Sequence, residues 1–446
     1  MLTKLKEFAE KFLKKTEKKD ILVISHFDTD GITSAAIFGK CLKKLDKNFS
    51  FKIVKGLDEK IINSLSKTKV LVFLDLGSGS LEDISKLKNE VFIIDHHEIQ
   101  KDFNYPENMN IINPHLIENC ELISGSCVSY LVSKELAKKD TESANLAIVG
   151  MVGDMMEREL GRSVNEILKD AGATIKKGLL LYPSTRPLNK ALEYCSNPYI
   201  PGITGNSFGA CDLLREAGVE FTKNGYKSLI ELEKDEMQKL VTALALRFPN
   251  HDAISGLIGN LFLIKFFNKI EDARELSALI NACSRMGNSE VALLFCMGNK
   301  NAKEQAEKIY IKYKQSIINA LNQINSNPKI EGKQYVIMNA QERISDTIIG
   351  TIASILSMSS LYEEGKIIIT MAYNQDKIKV SSRISGRKNV TENGRNLKDI
   401  MDSITELIGG ESGGHKFAAG CVISKDKEEA FIELIKKKLD IEVVKI

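Results

Sequence analysis

The stretch Ile21-Leu22-Val23-Ile24-Ser25-His26-Phe27-Asp28-Thr29-Asp30-Gly31 joins a short apolar run to a cluster of acids and a histidine. The run reads as a buried parallel strand, apolar on both faces and too short for a helix. The pattern recurs where Val70-Leu71-Val72-Phe73-Leu74 leads into Asp75-Leu76-Gly77, and again where Val91-Phe92-Ile93-Ile94 leads into Asp95-His96-His97. In an open α/β sheet the strand C-termini share one ligand-binding edge, so these polar groups are expected around one small volume. A fourth cluster, Gly153-Asp154, falls on an expected helix over 143–158. Its neighbours Ile148, Val149, Met151 and Val152 bury that helix, so Asp154 requires a metal or hydrogen-bond partner. One such block alone suits a strand-to-helix turn, whereas four in order do not. Three of the six histidines, His26, His96 and His97, lie in these blocks and no cysteine does. Carboxylates with imidazoles suit Mn²⁺ or Mg²⁺ better than thiolate-seeking ions.

At 446 residues, with 43% hydrophobic and 27% charged residues, the chain is long enough for two or three globular domains. Nothing approaches the roughly 20 consecutive apolar residues that cross a bilayer. The first twenty residues mix Lys and Glu throughout, unlike a signal peptide, and Leu5, Phe8, Ala9, Phe12 and Leu13 follow helical spacing. An amphipathic helix packed on the first domain is expected, and no membrane association. Eight scattered cysteines without a Cys-x-x-Cys pair read as core thiols in a reducing cytoplasm, which disfavours zinc. A net charge of +3 does not announce a nucleic-acid binder. Basic runs such as Lys138-Lys139 and Lys436-Lys437-Lys438 read as solvated surface, and His251 as an ordinary surface histidine.

Alternating strands and helices from residue 21 to about 180 predict β-α units and a parallel sheet, with helices near 32–46, 58–66, 81–88, 125–138 and 143–158 and N-cap chemistry at Ser124 and Ser143. Residues 182–206 hold four of the eight prolines and read as a connector. Helical periodicity over 207–327 predicts an all-α insertion. From Gln334 onward, strands at 335–338, 366–370 and 377–381 and helices near 346–358, 396–408 and 427–438 predict a smaller α/β domain. The expected division is 1–180, 181–206, 207–330 and 331–446, in an α/β fold.

The order Asp28-Thr29-Asp30-Gly31, Asp75-Leu76-Gly77, Asp95-His96-His97, Gly153-Asp154, followed by Gly413-Gly414-His415-Lys416-Phe417-Ala418-Ala419-Gly420, resembles the DHH phosphoesterases that carry a DHH-associated C-terminal domain. Within that family it is most similar to the archaeal RecJ-like single-strand exonucleases. The resemblance spans roughly residues 20–180 and 330–446. It implies two Mn²⁺ or Mg²⁺ ions in a cleft between the two α/β domains, with Asp75 bridging both, Asp28 on one, and Asp30, His96 and Asp154 on the other. His97 would face the scissile phosphate, in keeping with the opposite directions of consecutive side chains on a strand. His26, in register with Asp28 and Asp30, either completes the first metal site or orients a carboxylate, and Asp95 supports His96 or His97 by hydrogen bonding. Gly413, Gly414 and His415 resemble the family's phosphate-binding loop. Ser381-Ser382-Arg383 resembles the Ser-x-Arg element that grips the phosphate beside the cut, and His115 a loop near the active site. The catalytic roles then fall to His97, Arg383 and His415. The implied activity is a single-strand DNA or RNA exonuclease of replication or repair. The rivals are a phosphodiesterase for oligonucleotides or cyclic dinucleotides, a pyrophosphatase, and a replication-complex scaffold binding GINS or a helicase through the helical insertion.

Overall fold

The computed structural model describes every residue except 66, 68, 101, 138–140, 158–159, 182, 197, 248–256, 327, 360, 387–395 and 441–446. His251 and the Lys138-Lys139 run therefore lie outside the described residues. The contacts divide into two units, residues 1–178 with 260–311, and residues 179–259 with 312–446.

The first unit is built on β1 (Ile21–His26), β2 (Phe49–Val54), β3 (Val70–Leu74), β4 (Val91–Ile94) and β5 (Met109–Ile112). All pairings are parallel, in the order β2-β1-β3-β4-β5. The register sets Ser25 beside Leu74 and Leu74 beside Ile94, so His26, Asp75 and Asp95 leave the sheet at one level. β3 and β4 are buried at every position, which explains their unbroken apolar runs. The edge strands β2 and β5 are half-buried and interrupted by Ser50, Lys52 and Asn110, so sequence periodicity does not single them out.

Helix α1 (Leu2–Lys15) packs on this unit as expected, with Phe8 and Phe12 edge-on against Phe92. Next come α2 (Thr29–Lys44), α3 (Glu59–Asn63), α4 (Leu81–Ser85), α5 (Gly125–Leu136) and α6 (Ala144–Gly153). Ser124 caps α5 through its side chain, whereas Ser143 makes no such bond to α6. Asp154 is the C-cap of α6 rather than a residue within a helix running to 158.

In the second unit a six-stranded sheet runs in the order Glu411–His415, Ala418–Ser424, Lys377–Ile384, Ile367–Asn374, Tyr335–Asn339, Ile330–Glu331. Helices Leu397–Ile408 and Glu428–Asp440 cover one face through Met401, Ile404, Phe431 and Ile435. One expectation changes. The 207–330 stretch is mostly helical but also contains strands Ile258–Phe266 and Lys269–Asp272, because the buried run Leu261-Phe262-Leu263-Ile264 is compatible with either structure by periodicity alone. The proline-rich stretch carries one short helix, Leu188–Glu193, and buries Leu188, Leu192, Ile200 and Ile203.

Candidate metal centre

The acids share a division of labour between their two oxygens. Asp28 is the N-cap of α2, where Oδ1 accepts the Gly31 N–H at 3.0 Å while Oδ2 lies 3.0 Å from His26 Nδ1. Asp30 Oδ1 accepts the Ser126 N–H, at the start of α5, at 3.1 Å, and its buried Oδ2 has no hydrogen bond. Asp75 leaves β3 in the left-handed region, φ 55°, with its N–H bonded to Ile94 O at 2.9 Å. Its two oxygens face different neighbours: Oδ2 is 3.7 Å from His26 Nδ1, and Oδ1 is 3.3 Å from His96 Nε2. His96 Nε2 is also 3.5 Å from Asp154 Oδ2 and 3.8 Å from Asp30 Oδ2. The donor atoms of His26, Asp28 and Asp75 lie within 4.8 Å of one another, and so do those of Asp30, His96 and Asp154.

Asp30 Oδ2, Asp75 Oδ1 and His96 Nε2 are buried without hydrogen bonds, although they converge. Native proteins rarely leave one such atom unsatisfied, let alone three together, so the set fits divalent cations. The charge states carry the same message. Burial opposes a charge on His26, but the neighbouring Asp28 and Asp75 outweigh it and push its pKa up to about 10. His96 is pushed up to about 9 in the same way, by Asp75, Asp30 and Asp154 against its burial. Burial and the Asp30 charge raise Asp75 to about 7, and the same two causes raise Asp154 to about 6. Clustered carboxylates thus favour positive charge at the centre of this pocket.

Asp95 has a different task. Fully buried, it accepts the Ser78 N–H at 2.9 Å, the His96 N–H at 2.8 Å and lies 2.8 Å from His97 Nδ1. Burial alone would raise its pKa, but the His97 and Ser78 contacts hold the carboxyl well below the usual range. Asp95 thus grips the His97 ring, not the His96 ring; the His97 side chain is half-exposed, and one of its ring nitrogens lies within 4.8 Å of donor atoms of Asp75 and His96. Asn113 braces the same corner, donating to Ser78 Oγ at 3.0 Å and His97 O at 2.9 Å. His115, beside it, donates its N–H to Asn113 Oδ1.

Glycines that sequence reasoning passed over shape the pocket. A Cβ at Gly125 would lie 2.7 Å from Asp75 Oδ1 and 3.0 Å from Asp30 Oδ2. At Gly150 it would lie 2.1 Å from Ser126 Oγ and 2.5 Å from Asp30 Oδ1. The signal for Gly150 was present, since a glycine inside an apolar helix marks a close approach.

The C-terminal candidates belong to the second unit. Gly413, Gly414 and His415 lie on an edge strand paired with Ala418–Gly420, not on a loop. Gly414, φ 129°, permits that pairing because a Cβ would sit 2.4 Å from Ala418 O. Arg383 donates from Nε to Ser354 Oγ at 3.0 Å and from Nη1 to Ser382 O at 2.8 Å. Ser382 is fully buried and donates its hydroxyl to Ala419 O, and Ser381 is also buried. The Ser382 hydroxyl thus ties two neighbouring strands together.

Residues 20–153 match the DHH family N-terminal domain, 181–261 the DHH-CID domain and 332–440 the DHHA1 domain. An uncharacterized protein of Methanocaldococcus jannaschii is 31% identical over 98% of both chains. The chain belongs to the DHH family. Among solved structures this DHH protein is similar to manganese-bound exonuclease RecJ, with TM-score 0.62, 17% identity and 98% and 95% of the two chains covered. It is also similar to CDC45 from Entamoeba histolytica, with TM-score 0.69, 12% identity and 98% of each chain covered. RecJ from Thermus thermophilus with Mn²⁺ matches at TM-score 0.58 and 18% identity, over 98% of this chain and 54% of that one. At these identities the likeness establishes a shared RecJ-like fold. Among the described residues, no helix is long and apolar enough to cross a membrane.

Proposed function

We propose that this DHH protein is a two-metal phosphodiesterase that removes nucleotides from an end of single-stranded DNA or RNA, with Mn²⁺ or Mg²⁺ as cofactor. The observation that carries the reading is the disposition of Asp75, one oxygen toward His26 and the other toward His96, which suits a carboxylate shared by two ions. His26, Asp28 and Asp75 would hold one ion, and Asp75, Asp30, His96 and Asp154 the other. Two such ions supply charge neutralisation and Lewis acidity for phosphoester hydrolysis. The chain's own groups position the phosphate. His97, its Nδ1 held by Asp95, would offer Nε2–H to a phosphate oxygen. Arg383, His415 and the backbone of Gly413 and Gly414 would hold the strand, and His115 would line the approach. The mode of action as an exonuclease leans on likeness to RecJ, a manganese-bound exonuclease.

The similarity to CDC45 favours a second reading, a scaffold in a replication complex that meets GINS or a helicase through the helical segment. The complete set of ligands argues for retained hydrolysis alongside any such role. Digestion of 5′- and 3′-labelled DNA and RNA strands with Mn²⁺ tests the proposal. Stepwise mononucleotide release from one end supports it, whereas activity confined to dinucleotides or cyclic dinucleotides would transfer the assignment to a small-substrate phosphodiesterase.

A further inference from the structure

We infer that Arg274 is a positioning residue for the ligand set containing Asp154, and that through it the helix Ala273–Arg285 completes the metal site. The inference rests on the two-ion reading above. After Asp154 the chain turns sharply: the Met155 N–H bonds Val152 O at 3.3 Å and the Met156 N–H bonds Met151 O at 3.1 Å, with Met155 at φ 55°. These bonds make a Schellman turn, whose left-handed position usually belongs to glycine. Methionine is strained there, and with 63% of its surface exposed it has little packing to hold it. The turn needs an anchor from elsewhere.

That anchor comes from 117 residues further along the chain. Arg274 Nη2 donates to Glu157 Oε1 at 2.7 Å, with both side chains largely buried. One turn on, Ser277 O accepts the Thr29 hydroxyl at 3.0 Å, and Ser277 Oγ would lie 3.1 Å from a Cβ at Gly153. The helix therefore touches Thr29, between Asp28 and Asp30, Gly153, just before Asp154, and Glu157, just after it. A carboxylate as buried as Glu157 does not stay in place without its cation. Loss of the guanidinium would release Glu157 toward water and carry the Met155–Glu157 turn, with Asp154, away from His96. Asp28 keeps its own bond to Gly31, so the ion on its side should not be affected. Asp154, Glu157 and Arg274 all lie outside the three matched family segments, so those segments do not point to this contact.

The test is Mn²⁺ titration of the intact protein, followed by electron paramagnetic resonance and calorimetry. Wild type should bind two ions. Arg274→Ala should weaken one of them by about tenfold or more, the usual effect of losing a group that orients a ligand, and leave the other unchanged. Arg274→Lys should recover part of the loss. Glu157→Ala removes the same bond without stranding a buried carboxylate, so it should show the same selective loss and decides the matter if Arg274→Ala does not fold. Folded variants that bind both ions as wild type does, or that weaken both equally, would overturn the inference. Wild type that binds fewer than two ions would instead overturn the two-ion reading itself.

Discussion

Loading the pocket with metal should expel protons, and the number follows from the raised histidines. With His26 at about 10 and His96 at about 9, both are charged in the empty site at pH 8, while Asp75 at about 7 is almost wholly ionised. Since metal ligands must be deprotonated, binding at pH 8 should release about 2 protons, and fewer as pH rises through 9 to 10. Protons therefore compete with Mn²⁺, and its apparent affinity should climb steeply between pH 7 and 8.5, then level off near pH 10. The stability of the metal-free protein should run the other way. The histidines' folded values lie above their ordinary 6.5, so their contribution is fully present below 6.5 and lost as pH rises through 9 to 10. Asp75 has the same sign over a lower window, because its neutral form favours the fold and ionises as pH rises toward about 7. Calorimetric titration in buffers of different ionisation enthalpy counts the released protons directly. Release near zero at pH 8, or affinity independent of pH, would refute the reasoning that charged histidines occupy the ion sites.

Asp75→Asn retains a residue type that tolerates the left-handed backbone, so it should fold yet lose hydrolysis by about 100-fold or more; full activity in a nuclease assay would contradict a bridging role. Gly150→Ala should cost about 1–3 kcal/mol in denaturant unfolding and weaken Mn²⁺ binding, because its Cβ collides with the groups that hold Asp30. Gly125→Ala should lose metal as well, since its Cβ meets Asp75 Oδ1 and Asp30 Oδ2, oxygens of the proposed ligand set. For Asp95→Asn, the loss of charged hydrogen bonds should cost roughly 1.5–3 kcal/mol at neutral pH. The Asp95 carboxyl titrates below its ordinary 3.8, so its contribution is present above that value and lost as pH falls further; the melting temperatures of variant and wild type should converge in strong acid. Hydrolysis stopped by a chelator should return with Mn²⁺ or Mg²⁺, and recovery with Zn²⁺ alone would count against the oxygen-rich ligand set.

The parallel sheet was legible in the apolar runs of the sequence, which also named the acids and histidines that the structure brings together as a candidate metal site. Three strands buried on both faces leave unbroken apolar runs, and the groups that follow them must emerge along one edge, so His26, Asp28, Asp30, Asp75 and His96 could be named before any fold was known. The edge strands β2 and β5 and the hairpin Ile258–Asp272 were not separable, because half-exposed or very short apolar runs carry no distinctive period. Folding was needed to show how each carboxylate divides its oxygens, that Asp95 holds His97, and that Gly125 and Gly150 keep the space beside Asp30 and Asp75 open. It alone buried the Ser382 hydroxyl against Ala419 and brought Arg274 to Glu157. Those relations depend on distances between residues far apart in the chain, which local periodicity and short motifs do not encode.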